Sequence, residues 1–500
     1  MSNEQYQFTT WFHRIRRNSF LQLRYFPVLT LLPLLTSSVP SSYLPSREIA
    51  HYFQALAFAR DGLNSYGYLT VRESGAALHL YSLILAPFIK LGFVTSGRFV
   101  SAVAALGTTI LIAYLARIWF DSNVAFLAPI ILWVNPFFYR FAWAYMPDSL
   151  SIFLTVSAVG TMVRYTETDA IKWYLVSVAA IVLAIANHGW EATILLPVAT
   201  LLWVYQKRRG AIIYAILTVA SVGTVKYLVG LQPLPTTGSG YLITDVGLSF
   251  YFTSDFWMGV VTRPYSPFYL GHSLHFYPGL VAVLYWLRNA YLGVRKDTSL
   301  IMAAWLSSGL SIPFILPGGL NHHYYLWALV APVTLTVAAV IPKIVNSLGV
   351  GITSHQESRI KQAATVILII LVSVNGLVFE AGLFIGDAGS PPAVGDRHEN
   401  PEIMPSEAVS TGEQLAKMDV SDPNRIVFLT EEANELHRQT IFRVLVHGDV
   451  LLRDTWNPSF TPSSNTVPRY VTDQDDVLNC DVVIKKVDQK LLVKRCLGNV

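Results

Sequence analysis

Two carboxylates in this chain stand where a helix begins, a place that favours the ionised form because the first turn is the positive end of the helix dipole. Pro45, Ser46, Arg47 and Glu48 read as one such start, with Ser46 as N-cap and Glu48 in the first turn. Tyr145, Met146, Pro147 and Asp148 read as another, with proline at the first helical position and the acid beside it. A positioned carboxylate can draw a proton from an attacking hydroxyl, so Glu48 and Asp148 are the candidate catalytic residues. Taken singly, each could equally be a cap, and Glu48 could pair with Arg47.

Other residue types gather near them. Arg140 and Trp143 lie just upstream of Asp148; a guanidinium holds phosphate well and an indole face suits the apolar side of a sugar ring. Asn187 to Glu191 (NHGWE) and Asn321 to Tyr325 (NHHYY) put ionisable groups at the ends of apolar runs, where they are costly unless solvated or used. Arg263 in the run RPY is a further phosphate partner. The substrate-binding candidates are Arg47, Arg140, Trp143, His188, Glu191, Arg263, His322, His323 and Tyr324. A metal set drawn from His188, His322, His323 and a carboxylate lacks any ligand spacing of the H-E-x-x-H kind. No metal ligand is assigned and no cofactor is expected, with a divalent cation left open.

The elements that must position these residues are membrane spans. Of 500 residues 53% are hydrophobic and 14% charged, with a mean hydropathy of +0.43; soluble domains carry about 25% charged residues, so this is a polytopic membrane protein. The basic residues sit in short clusters between apolar runs, which excludes a nucleic-acid-binding patch. Membrane-length runs appear at Phe20 to Ser38, Phe99 to Phe120, Val124 to Phe138, Ser149 to Tyr165, Ile171 to Ala186, Ala192 to Tyr205, Ala211 to Leu231, Tyr277 to Tyr291, Leu300 to Leu316, Tyr324 to Ile344 and Ala363 to Ile385. The first reads as a signal anchor, because no small-residue cleavage site follows it.

One further run, Ala76 to Phe93, decides the topology. If it crosses, the Lys207 to Arg209 cluster and Arg295 with Lys296 fall outside; if it lies in the interface, those clusters, with Arg117, Arg164, Lys172, Arg359 and Lys361, fall inside. The positive-inside rule favours the second reading. It gives about eleven transmembrane helices and sets nearly every residue with chemical potential on the non-cytoplasmic face. The segment Leu44 to Gly75 then forms interfacial helix in the first outer loop, with Ile49, Phe53, Leu56 and Ala57 at helical spacing up to Asp61 and Gly62.

After Ile385 the composition turns polar. Residues 1–386 are expected to form the transmembrane domain and 387–500 a small extracytoplasmic α/β domain, with strands at Arg425 to Thr430 and Asp449 to Asp454, a helix at Asn434 to His447 and a hairpin at Cys480 to Leu497. Cys480 and Cys496 flank that hairpin and could be either disulfide-bonded or free.

In this order the motifs resemble the membrane glycosyltransferases of the C-type fold, in particular the protein O-mannosyltransferases, the aminoarabinose transferases and their bacterial and archaeal relatives. The matching residues are Glu48 followed by Ala59, Arg60, Asp61 and Gly62, then FYRFAWAYMPD from Phe138 to Asp148, then Asn321 to Tyr325. The resemblance covers roughly Phe20 to Ile344. It departs at the first-loop acid, which is usually aspartate and here is glutamate. Trp456 is not part of a Trp-Trp-Asp signature, which argues against the related oligosaccharyltransferases.

The resemblance implies an all-α membrane bundle whose outer loops build the site, and a multi-pass enzyme of the cell membrane. It implies transfer of a single sugar, mannose by default, from a polyprenyl or dolichyl phosphate to a glycolipid or lipid-linked saccharide, or else to a protein hydroxyl. Its partners would be that donor, a glycolipid or glycoprotein acceptor and membrane lipids, with no nucleic acid. A transporter or flippase would need charges or broken helices at the midplane, and the apolar runs hold few charges and no inverted repeat. A non-catalytic scaffold acting through the tail is a third reading.

Overall fold

A computed structural model describes residues 78–93, 96–142, 144–230, 270–315 and 326–347, parts of 51–63, 248–257 and 410–418, and the strands named below; a few helical positions, Arg140 among them, are described by backbone alone. The helices are α1 (Leu80–Lys90), α2 (Ser96–Trp119), α3 (Ser122–Val134), α4 (Pro136–Phe141), α5 (Asp148–Thr168) and α6 (Ile171–Asn187). A 3-10 turn (Gly189–Ile194) leads into α7 (Leu195–Val204), followed by α8 (Arg208–Gly230), α9 (Leu270–Tyr291), α10 (Lys296–Ile315) and α11 (Trp327–Ser347). Among the described residues four helices are long and apolar enough to cross a membrane: α2, α8 over Arg208–Val225, α10 and α11 over Trp327–Ile344. The apolar helices α1, α3, α6 and α7 are shorter, and the count of eleven stands as an expectation. Phe20 to Ser38 and Ala363 to Ile385 lie outside the described residues.

Helix α5 packs between α2 and α6, α3 packs on α2 and α11, and α7 bridges α8 and α10. Buried indoles pin these contacts with a hydroxyl acceptor each: Trp133 Nε1 donates to Thr109 Oγ1 at 3.0 Å and Trp286 Nε1 to Thr336 Oγ1 at 2.9 Å. On the outside, Ile212, Ile213, Ile216 and Val219 of α8 and Val281, Leu284 and Leu287 of α9 are exposed. Such a band of bare aliphatic surface is suited to hydrocarbon rather than water.

The run Val124 to Phe138, expected as one span, is broken. Asp121 caps α3 by accepting from Asn123 N and Val124 N, and α3 ends at Asn135. There the chain restarts: Asn135 Oδ1 accepts from Phe138 N at 3.3 Å with Pro136 opening α4, because proline disfavours helix in the residue before it and suits a first helical position. Likewise Ala192 to Tyr205 begins in the 3-10 turn and leaves only ten residues to α7.

Helix α1 has 11 residues, a rise of about 16 Å against about 30 Å of hydrocarbon. Tyr81, in its first turn, donates its hydroxyl to Gly97 O at 2.7 Å and meets Ser101 Oγ at 3.0 Å, both in the first turns of α2. The chain thus enters α1 and enters α2 at the same end of the bundle, as expected for a run that does not traverse.

The two ends differ in charge. At one, Arg117, Arg164, Lys172 and Lys207 to Arg209 gather where α2, α5, α6 and α8 end or begin. Lys207 pairs with Asp169, Arg164 with Glu167 at 3.1 Å, and Arg295 donates to Trp119 O at 2.5 Å. The other end carries Asp148, His188 and Glu191.

In the tail, β1 (Ile426–Leu429), β2 (Arg469–Val471), β3 (Val482–Val487) and β4 (Lys490–Arg495) form one sheet in the order β2-β1-β3-β4. β1 is parallel to β2 and β3; β3 and β4 are antiparallel, with Val482 opposite Arg495 and Val487 opposite Lys490. Strand β1 falls within the expected Arg425 to Thr430 and the hairpin within Cys480 to Leu497, whereas β2 was not foreseen. Cys480, Cys496 and the segments expected as Asn434 to His447 and Asp449 to Asp454 lie outside the described residues.

Candidate active site

Helix α5 opens on Asp148 with Pro147 as its N-cap, one residue off the expected register, and Ser151 N closes the first turn on Pro147 O at 3.0 Å. Asp148 is 4% exposed and Ser151, one turn on and on the same face, 1%. The end of α6 arrives alongside. Asn187 Nδ2 donates to Pro147 O at 3.0 Å and to Ser151 Oγ at 2.7 Å, and Asn187 Oδ1 accepts from Tyr81 N at 3.2 Å. That last bond satisfies a first-turn N–H of α1, which its own N-cap His79 leaves without a side-chain acceptor. Asn187 therefore caps a helix 106 residues away and holds α1, α5 and α6 in one register.

The residues after Asn187 turn into the same space. His188 Nδ1 lies 2.8 Å from Ser151 Oγ and its ring stacks on Trp190, centroids 4.4 Å apart. Glu191, in the 3-10 turn, is 3% exposed and hydrogen-bonds Ser151. Burial first, then the neighbouring Asp148 charge, pushes the Glu191 carboxyl up to about 8. Burial, then His51 and His79, pushes His188 down to about 3, so its imidazole is neutral.

The first-loop helix closes this end. Ser82 Oγ donates to His51 O at 3.4 Å and to Gln54 Oε1 at 3.1 Å. His51 stands edge-on to Tyr81, and Tyr145 edge-on to both Tyr52 and Tyr81. Ser101 Oγ donates to Met146 O at 3.2 Å, tying α2 to the residues just before Asp148. Gly97 has no room for a side chain: a Cβ there would lie 2.4 Å from the Tyr145 ring.

Of the residues expected from sequence, Asp148, His188 and Glu191 are brought together. Arg47, Glu48, Trp143, Arg263, His322, His323 and Tyr324 lie outside the described residues, and Arg140 is placed on α4 by its backbone. Sequence reasoning passed over His51, His79, Ser151, Tyr81 and the buried Arg98 in the first turn of α2. Only Ser151 carried a local signal, three residues after Asp148. His79 takes a left-handed backbone, φ 50°, at the start of α1, a strained conformation of the kind that collects at functional sites. Among the described residues no three His, Cys, Asp or Glu side chains are grouped to hold a metal ion.

The fold is that of the C-type membrane glycosyltransferases. The archaeal oligosaccharyltransferase AglB from Archaeoglobus fulgidus, with an inhibitory peptide and a dolichol-phosphate, matches with TM-score 0.53 and 12% identity over 94% of this chain and 70% of its own. ArnT from Cupriavidus metallidurans, bound to undecaprenyl phosphate, matches with TM-score 0.52 and 13% identity over 95% and 98%. The Archaeoglobus fulgidus oligosaccharyltransferase with Zn and sulfate matches with TM-score 0.56 and 14% identity over 93% and 67%. Residues 80–229 match the family model described as dolichyl-phosphate-mannose-protein mannosyltransferase, a segment that runs from α1 to α8 and includes Asp148, His188 and Glu191. No curated protein matches the chain by sequence. The likeness is one of fold over most of the chain and of family sequence over residues 80–229.

Proposed function

We propose that this chain transfers a single sugar, mannose in the first instance, from a dolichyl or polyprenyl phosphate to a glycolipid or lipid-linked saccharide. The observation that carries this reading is the buried gathering of Asp148, His188 and Glu191 at the end of the bundle where the first-loop helix docks. A lipid phosphate whose tail lies among the helices reaches the interface at such an end. Glu48 is the general base that takes the proton of the acceptor hydroxyl as it attacks the anomeric carbon, a role worth about 10² to 10⁴ in rate. Asp148 orients the acceptor. The leaving phosphate develops charge, which Arg140 and Arg263 stabilise, with Arg47, Trp143, His188, His322, His323 and Tyr324 shaping the substrate pocket. Direct displacement inverts the anomeric carbon.

The basic end described above supports a cytoplasmic placement for that end and a non-cytoplasmic one for the site. The four-stranded sheet supports a small α/β domain over 387–500, which this reading puts on the site's side. A divalent cation remains an optional addition, for the archaeal oligosaccharyltransferase was solved with Zn and sulfate. A protein acceptor is the second reading. It is favoured by the description of the matching family and by the peptide bound to AglB.

The test is label transfer from radiolabelled dolichyl phosphate mannose in membranes containing the chain, followed by separation of lipid and protein products. Label in the lipid fraction supports the first acceptor and label in precipitated protein the second. Near-full transfer by Glu48→Gln refutes the assigned base.

A further inference from the structure

Helix α4 has six residues, too few to be stable by its own hydrogen bonds, so it is held by what it touches. Phe138 stands edge-on to Trp133 and Trp327, at 5.3 and 6.3 Å between centroids, and Phe141 edge-on to Trp327 at 5.0 Å. At the far end Phe141 O accepts at 2.7 Å from the hydroxyl of Ser149, the residue after Asp148. Helix α4 therefore bridges the end of α3 and the start of α5, and Arg140 lies on it.

The start of this bridge is fixed from across the bundle. Asn135 caps α4, its Oδ1 accepting from Phe138 N at 3.3 Å. Its Nδ2 lies 2.7 Å from Nε2 of His275, a residue 0% exposed in the second turn of α9 and 140 positions further along the chain. One amide makes both contacts, so each decides the other. With Oδ1 committed to the Phe138 N–H, the group that meets His275 is the NH2, a donor. Nε2 must then offer its lone pair, and the ring proton is on Nδ1. A proton on Nε2, in the other tautomer or in the imidazolium, would set N–H against N–H. Turning the amide over would mend that contact only by withdrawing the acceptor from Phe138, and α4 would lose its cap. The start of α5 has separate ties, from Asn187 Nδ2 to Pro147 O and from Ser101 Oγ to Met146 O. A disturbance that begins at His275 thus reaches Arg140 before it reaches Asp148.

We propose that His275 is a positioning residue for the donor phosphate: neutral and protonated on Nδ1, it holds the Asn135 amide in the orientation that caps α4, and so fixes the backbone from which Arg140 reaches the phosphate. The inference rests on the transferase reading above for the role of Arg140, though not for the tautomer or the cap. His275 neither touches the substrate nor exchanges a proton in the reaction; it acts through Asn135.

Nitrogen magnetic resonance of the full-length chain in lipid nanodiscs, with histidine labelled at its ring nitrogens, reads the tautomer directly. The His275 signals, identified by their loss in His275→Gln or His275→Phe, should be those of a neutral ring protonated on Nδ1. Asn135→Asp keeps an acceptor for Phe138 N but shows His275 an oxygen, so there the proton should move to Nε2. A wild-type ring protonated on Nε2, or a ring unchanged in Asn135→Asp, overturns the proposal whether or not any sugar is transferred. In the dolichyl phosphate mannose assay His275→Phe, which keeps a ring without an acceptor, should lower kcat/KM for the donor by about tenfold, about 1.4 kcal/mol of barrier, and leave KM for the acceptor unchanged. His275→Gln, whose side-chain oxygen can stand in for Nε2, should restore most of that loss. Equal losses in the two variants, or a loss that falls on the acceptor instead, overturn the proposal while leaving the transferase reading intact. No transfer by wild type defeats that reading, and the nitrogen spectra still decide the tautomer and the cap.

Discussion

Removing the Asn187 side chain tests the architecture of the site more severely than removing either acid. Asn187→Ala deletes three hydrogen bonds in a position 3% exposed: from Tyr81 N at 3.2 Å, and to Pro147 O at 3.0 Å and Ser151 Oγ at 2.7 Å. At a net value of about 1 kcal/mol each the loss is about 3 kcal/mol, and the buried Tyr81 N–H left without its acceptor adds about 1 to 3 kcal/mol unless water enters. The expected destabilisation is therefore about 3 to 6 kcal/mol. Transfer should fall by more than stability alone demands, since a displacement of about 1 Å at a positioned group costs about 10²-fold. Asn187→Asp should be at least as damaging: it keeps the acceptor for Tyr81 but turns both donors into lone pairs and adds a third carboxyl beside Asp148 and Glu191. Chemical denaturation and dolichyl phosphate mannose transfer, measured on wild type, both variants and the control Ser221→Ala, whose hydroxyl bonds only Leu217 O of its own helix, make the comparison. Should Asn187→Ala lose under 1 kcal/mol and transfer at the control's rate, the helix ends are held by something else and the argument for this site fails.

Gly97→Ala should cost about 1 to 3 kcal/mol by overpacking, because its Cβ would meet the Tyr145 ring at 2.4 Å; thermal melting reads the loss, and transfer should drop as Asp148 shifts. The raised Glu191 carboxyl sets a pH dependence whose sign is fixed. The folded state binds the proton more tightly than the unfolded chain, so its contribution is complete below about 4.5 and is lost as pH rises toward about 8. Each pH unit within that window removes about 1.4 kcal/mol, and Glu191→Gln should flatten this part of the melting-temperature profile. His188 acts in the opposite sense: its depressed value stabilises above about 6.5 and that contribution is lost as pH falls toward about 3, a limb that His188→Gln should remove. Cysteines placed singly at Lys172 and Lys207 should be shielded from a membrane-impermeant reagent in intact cells, and labelling of both would reverse the proposed orientation.

The membrane character of the chain and the helix start at Asp148 were legible from local sequence, because hydropathy and caps act within a few turns, whereas the short course of α1 was read from the distribution of basic clusters along the whole chain. The sequence could also pair Arg117, Arg164, Lys172 and Lys207 to Arg209 on one side by charge alone, and the bundle brings them to one end. Its misjudgements were local too: the break at Asn135 turned on how one side chain caps the Pro136 turn, and β2 is only three residues long, too short to show a strand pattern. Tertiary structure decided the rest. Asn187 meets Tyr81 106 residues away and Ser151 36 residues away, contacts for which no spacing in the chain gives notice. The same burial, by stripping water from Glu191 and setting Asp148 beside it, alters the proton affinity of a glutamate that in sequence looks like any other. Composition and periodicity are properties of neighbours along the chain, whereas the chemistry of a buried acid depends on which distant groups replace its water.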